Sequence, residues 1–228
     1  GLVSTPEDFG SQGNPPSHPE LLDSLALDLI ESGWDRQVLL RRIFLSATYR
    51  QVSTPSAAAR EADPDNHLLS HAPRQRLSAE MLRDGVLFSA GLLVEKIGGP
   101  PVKPYQPAGL WQEKSGQVYH PDEGEGLWRR SLYTFWKRTS PPPSMMIFDA
   151  AKRDVCIVKR AATSSPLQAL VLWNDPQYVE AARKLGARHL RAGGDGRQIA
   201  AQLFRSLTSR VASAAELAIE GKSSKGPT

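Results

Sequence analysis

Residues 165–192 read SPLQALVLWNDPQYVEAARKLGARHLRA, and this stretch settles the fold class. Ser165 can cap a helix whose first position is Pro166, where proline is favoured because the first N–H groups of a helix have no intrahelical partner. After LQALVLW, the triplet Asn174-Asp175-Pro176 restarts a helix that carries Tyr178, Val179, Ala182 and Leu185 at helical spacing. Gly193-Gly194 breaks it, and Asp195 can cap a further helix bearing Ile199, Leu203 and Leu207. Ser213-Ala214-Ala215-Glu216 has the form of a capping box before one more short helix. The last residues, 221–228 (GKSSKGPT), carry no apolar side chain and are expected to be disordered.

Working back toward the start, the same signals recur. Ser17-His18-Pro19-Glu20 reads as a capping box for a helix with Leu21, Leu22, Leu25, Ala26, Leu29 and Ile30 on one side, stopped by Gly33. Asp35 can cap a second helix with Val38, Leu39, Ile43 and Phe44, so residues 17–50 form a predicted helical hairpin. Residues 51–76 are polar and read as loop. Ser78 opens a long helix expected over 78–97, with Leu77, Met81, Leu82, Val86, Leu87, Ala90 and Leu93 as its apolar stripe. Residues 98–127 are rich in Gly and Pro and read as a long irregular loop. Ser131–Lys137 and Val155–Val158 have the β-branched and aromatic character of strands. The resulting expectation is a mainly α fold, one truncated domain over 1–220, with a small β element around residues 129–160 and a helical part over 165–220.

That β element carries the chain's charge. Between Trp128 and Arg160 lie four basic doublets, Arg129-Arg130, Lys137-Arg138, Lys152-Arg153 and Lys159-Arg160, against Asp149 and Asp154 alone, a net of +6. The whole chain is +4 over 228 residues, so the remainder is −2 and the positive charge is local. An extended Arg129–Arg138 segment would put Arg129, Ser131, Tyr133, Phe135 and Lys137 on one face and Arg130, Leu132, Thr134, Trp136 and Arg138 on the other. Guanidinium forks with aromatic rings between them suit a sulfated or carboxylated polysaccharide. Arg129, Arg130, Tyr133, Trp136, Lys137, Arg138, Arg153 and Arg160 are therefore the anion-binding candidates. The competing reading pairs these cations with Asp84, Asp149 or Asp175 to tie loops down. A third uses the same three carboxylates, with the arginines, in polysaccharide hydrolysis.

Other chemistry is thinly represented. A single cysteine, Cys156, excludes an intrachain disulfide and a cysteine-rich zinc site, and its apolar neighbours favour burial over reactivity. No C-x-x-C-H haem-attachment motif is present, so no cofactor is expected in this chain. His67 and His71 are four apart but lack a third ligand at metal-like spacing, so no metal is expected. Arg197, Arg205 and Arg210 are too few to argue for nucleic acid. No apolar run approaches the roughly 18 residues of a membrane span, and no signal peptide opens the chain. Residue 1 is Gly and GLVSTPEDFGSQGNPPSHPE reads as the middle of a loop, so a fragment or processed piece is expected.

Several strings resemble one family when taken together: LVSTPEDFG, PSHPELLDSLA, RQRLSAEMLRD, GGPPVKPYQPAGLW, RRSLYTFWKRT, FDA and PLQALVLWNDP. In this order and spacing, over roughly residues 1–190, they resemble the planctomycete-specific domain of unknown function that accompanies planctomycete cytochrome-c-like domains. At 163–166 the chain has Thr-Ser-Ser-Pro where that pattern has Thr-Asn-Thr-Pro, removing a side-chain amide at Ser164. The resemblance implies an extracytoplasmic (periplasmic or secreted) module and no defined activity. It also implies a cytochrome-c-like domain in a longer parent chain, which makes docking to a haem-containing partner another reading.

Overall fold

A computed structural model describes residues 2–8 and 10–223, and they divide into two compact units. The first comprises Gly1–Arg76 with Ile157–Lys159, the second Leu77–Cys156 with Arg160–Thr228. The mainly α expectation holds for both. The expected tail at 221–228 falls largely on residues outside those described; the last helix is assigned up to Ser223.

In the first unit, α1 (Pro19–Glu31) and α2 (Arg36–Leu45) form the predicted hairpin. Gly33 and Trp34 both take positive φ, 68° and 65°, to turn the chain, and Trp34 N–H returns to Leu29 O at 2.8 Å. Asp35 caps α2 as expected, its Oδ1 accepting from Gln37 N at 2.8 Å and Val38 N at 3.3 Å. An Arg42–Asp28 ion pair ties the two helices. The Ser17 box does not form. Proline takes the first helical position, so Pro19 makes His18 the N-cap and moves Ser17 one residue too far out. A short α3 (Ala57–Ala62) follows, capped by Ser56. No side chain of these three helices is fully buried.

The second unit holds a packed core between α4 (Ala79–Ala90) and α9 (Pro176–Ala192). Ala90 of α4 meets Ala181 and Leu185 of α9, and small residues at the crossing let the backbones approach. Ala79 and Tyr178 join Met145, Phe148 and Ala150 in a second cluster, contributed by and just after α7 (Pro143–Ile147). The buried line of α4 is Ala79, Arg83, Leu87 and Ala90, steps of four, four and three that keep to one helical face. It lies beside the apolar stripe read from the sequence, and Met81 is left exposed. The helix also stops at Ala90 instead of reaching 97. Gly91 adopts φ 71° and its N–H returns to Leu87 O and Phe88 O, a left-handed cap that costs glycine nothing.

The loop over 98–127 contains two short helices, α5 (Leu110–Ser115) and α6 (Glu125–Trp128). It is pinned from within: Asp122 accepts from Lys103 N at 2.8 Å, while Trp111 is buried beside Tyr119 and Phe135. The β element is reduced, among the described residues, to isolated bridges of Val94 with Arg129, Val102 with Thr134, and Lys137 with Ser140. Ser131–Tyr133 is a 3-10 turn, not strand. The cause is Asp84, whose Oδ1 takes both Ser131 N–H at 2.7 Å and Ser131 Oγ–H at 2.6 Å. A strand neighbour would need that N–H. Residues 155–158 do not form the second strand either. Arg153 turns the chain with φ 63°, and Val155, Cys156 and Val158 are exposed, so the expected burial of Cys156 is corrected. The chain continues through α8 (Pro166–Asn174), α9, α10 (Gly196–Thr208) and α11 (Ala214–Ser223). Asp195–Gln198 closes a capping box on α10, and Ser213–Glu216 makes the expected reciprocal bonds before α11.

Candidate functional site

The cationic segment is organised around a residue outside it. Arg83 of α4 is buried, with Nε donating to Gln177 Oε1 at 2.6 Å and Nη2 to Leu127 O at 2.8 Å. Its Nη1 donates to Arg129 O at 2.9 Å and Ser131 Oγ at 3.1 Å. One guanidinium thus joins α4, the end of α6, the 129–131 turn and the start of α9. Burial pushes its pKa down, and the charges of Asp84, Tyr178 and Asp175 act in the opposite direction. Asp84 lies 3.8 Å away and also faces Arg130 Nε at 3.7 Å. The expected pairing of Asp84 with an arginine is present in this form. Arg83 itself was legible only through its place on the Ala79–Leu87–Ala90 line.

Arg129 is drawn inward, and only 6% of it is exposed. Nη2 donates to Lys96 O at 2.8 Å and Gly98 O at 2.5 Å, and Nη1 to Pro100 O at 3.2 Å. Nε has no partner among the described residues. The guanidinium stacks 3.9 Å from the Tyr133 ring centroid, and Tyr133 Oη accepts from Gly98 N at 2.8 Å. Arg129 and Tyr133 therefore hold the Gly-rich turn after α4. Expected alternation across this segment is lost, because Arg129, Ser131 and Thr134 are buried while Leu132 is 72% exposed.

The remaining cations lie closer to solvent. Lys137 Nζ donates to Ser115 Oγ at 2.6 Å and Gln117 Oε1 at 2.8 Å, and sits 4.4 Å from the Trp111 ring centroid. Arg153 lies 4.7 Å from the Trp136 ring centroid, and Trp136 Nε1 donates to Lys152 O at 2.9 Å. Trp136 also packs on the core cluster of Met145 and Phe148, which fixes the ring under Arg153. Arg138 is exposed. Among the described residues, Lys137, Arg138 and Arg153 form no ion pair, whereas Arg160 Nη1 meets Glu80 Oε2 at 2.6 Å. Burial of Glu80 and that bond to Arg160 act in opposite directions, and the net effect holds Glu80 below the usual carboxylate range.

The other two candidate acids are also occupied. Asp149 has φ 58° and accepts from Thr163 N at 2.8 Å and from Thr163 Oγ1. Asp175 caps α9 through Gln177 N at 2.9 Å, and burial raises its pKa. Among the described residues no three His, Cys, Asp or Glu side chains gather where they could hold a metal, and no helix is long and apolar enough to cross a membrane.

The PSD1 family, described as a protein of unknown function (DUF1553), matches residues 1–222. The chain belongs to this family. No curated protein and no solved structure matches it. Within this PSD1 chain the arrangement has two layers. Arg83, Asp84 and Arg129 form an interior network that fixes the backbone. Lys137, Arg138 and Arg153 lie nearer solvent, Lys137 against Trp111 and Arg153 against Trp136, and form no ion pair among the described residues.

Proposed function

We propose that this PSD1 chain is a non-catalytic, extracytoplasmic module that binds an anionic polysaccharide through Trp136, Lys137, Arg138 and Arg153, with Arg130 at the margin. The observation that carries this reading is the Arg153–Trp136 stack, 4.7 Å from guanidinium to ring centroid, with no carboxylate on the guanidinium among the described residues. A stacked arginine keeps its N–H edge available for a sulfate or carboxylate fork. Lys137 adds a charge whose contacts are all neutral, Ser115, Gln117 and the Trp111 ring. Hydrolysis is the weaker reading, because Asp84, Asp149 and Asp175 each already accept from a backbone N–H group. Extracytoplasmic placement, and a cytochrome-c-like partner in a longer parent chain, follow from the resemblance described above and belong to the same proposal.

Calorimetric titration with dextran sulfate tests it. An exposed ion pair to a ligand sulfate or carboxylate is worth about 0.2–1 kcal/mol, so losing two of them in Lys137→Ala with Arg153→Ala is expected to weaken binding by up to roughly tenfold. Affinity should also fall as salt rises. Equal affinity in the double variant, or equal binding of uncharged dextran, would sink the reading.

A further inference from the structure

A separate pocket of about 400 Å³ opens in the second unit, beside the starts of α7 and α9 and the end of α8. That volume lies in the range of small-molecule sites. Carbon dominates its walls, which Pro107, Pro143, Ile147, Leu170, Val171 and Pro176 supply. The walls are also stiff. Pro143 and Pro176 each open a helix, where the ring suits the first turn, and a proline has no rotamer freedom to lose when a ligand covers it.

The polar side chains on the wall are already engaged within the chain. Burial and the Glu180 carboxylate, which lies outside the wall, both push the Tyr105 hydroxyl pKa up. Gln106 Oε1 accepts from Trp111 Nε1 at 2.9 Å, and the amide nitrogen is buried out of reach of solvent. Asn174 Nδ2 donates to Leu170 O at 2.8 Å. Asp175 accepts from Gln177 N at 2.9 Å, with the Ser144 side chain as a further partner.

The ligand class follows by elimination. A strongly polar ligand would give up its water for a wall whose polar groups are taken, and a polar group that loses water without a new bond costs free energy. An anion would meet the carboxylate of Asp175. A cation would gain little there, because that charge already acts on buried Arg83. Apolar surface, by contrast, stands uncovered, and Leu170 is 57% exposed. A void of roughly 150 Å³ suffices for benzene, so more than one ring has room. Flat rings suit these walls best. An aromatic face carries negative charge density, to which the C–H groups of proline rings are complementary, and a rigid ligand loses least freedom on binding. We propose that this pocket takes a neutral aromatic ligand of one or two fused rings. It shares no residue with the proposed polysaccharide site, so either reading can fail without the other.

The test titrates the full chain with toluene and with naphthalene while methyl-resolved NMR follows Ile147, Leu170 and Val171. Saturable ring-current shifts are expected at these methyls and not at the Trp136 indole. Methylcyclohexane, the saturated and more hydrophobic counterpart of toluene, is expected to bind more weakly than toluene. Leu170→Ala should weaken naphthalene binding about fivefold, since the ligand no longer covers that side chain. Leu170→Glu sets a carboxylate on the wall and should abolish detectable binding. Leu170 is exposed enough for both variants to fold, and circular dichroism checks that they do. The proposal is overturned by the absence of saturable shifts at the three residues, by methylcyclohexane binding as tightly as toluene, or by undiminished naphthalene affinity in the folded Leu170→Glu variant.

Discussion

Arg83 occupies a position where an aliphatic side chain would fit the buried line of α4, yet it supplies N–H groups to Gln177, Leu127, Arg129 and Ser131. Replacing it by Ala removes the donors and strands those acceptors in a buried site, so Arg83→Ala should lower unfolding stability by about 3–5 kcal/mol in urea titration. Arg83→Lys should recover little, because one ammonium cannot reproduce a planar fork to several partners. A loss below about 1 kcal/mol in the Ala variant would show that the network is peripheral. Asp175 gives a prediction with a pH signature. Burial raises its folded pKa above the ordinary 3.8, with hydrogen bonds from Gln177, Tyr178 and Ser144 acting in the other direction. The folded state therefore holds this proton more tightly than the unfolded chain, and stability falls as pH rises from 3.8 through the folded pKa. Asp175→Asn should accordingly raise Tm at pH 7, the gain shrinking on acidification and vanishing near pH 3. A gain that persists at pH 3 would place its origin elsewhere.

The helices show how capping chemistry decides where an element begins and ends. Asp35, Ser78, Asp195 and Ser213 were legible as helix starts because a short polar side chain satisfies N–H groups two or three residues ahead, as each does here. Ends were harder. The apolar pattern after Ala90 continues through Leu92, Leu93 and Val94, and nothing in that pattern says that Gly91 will go left-handed. Gly91→Ala tests this cap: a Cβ at φ 71° would also lie 3.4 Å from Arg188 Nη1, and the variant should lose about 1–2 kcal/mol. An unchanged Tm would mean that the cap contributes nothing. The cationic segment failed as a strand for a reason of similar locality. Its alternation of side chains is genuine in the sequence, but Asp84, some fifty residues away, takes the Ser131 N–H and turns the backbone. Charge and aromatic content were readable; which of the cations would be interior depended on that distant carboxylate.

Across the whole molecule, burial is uneven, and stability should follow it. The second unit sets Ala79, Leu87, Ala90, Tyr178, Ala181 and Leu185 on facing helices and ties them through Arg83 and Gln177, whose Nε2 also reaches Leu127 O at 2.7 Å. In the first unit, α1, α2 and α3 bury no side chain completely, and Leu27, Ile30, Val38 and Phe44 remain about half exposed. Each unit can be judged on its own contacts. A helix opens locally when few apolar contacts must be broken to do so, and its amides then exchange with solvent through low-energy fluctuations. Hydrogen exchange should therefore find the slowest amides in the middle of α4 and α9, around Leu87 and Ala181, and much faster exchange along α1 to α3. Under conditions where opening is at equilibrium, each 1.4 kcal/mol of opening free energy is about a tenfold difference in protection, so the two groups should separate clearly. Protection of α1 equal to that of α9 would mean that its apolar side chains are covered in solution.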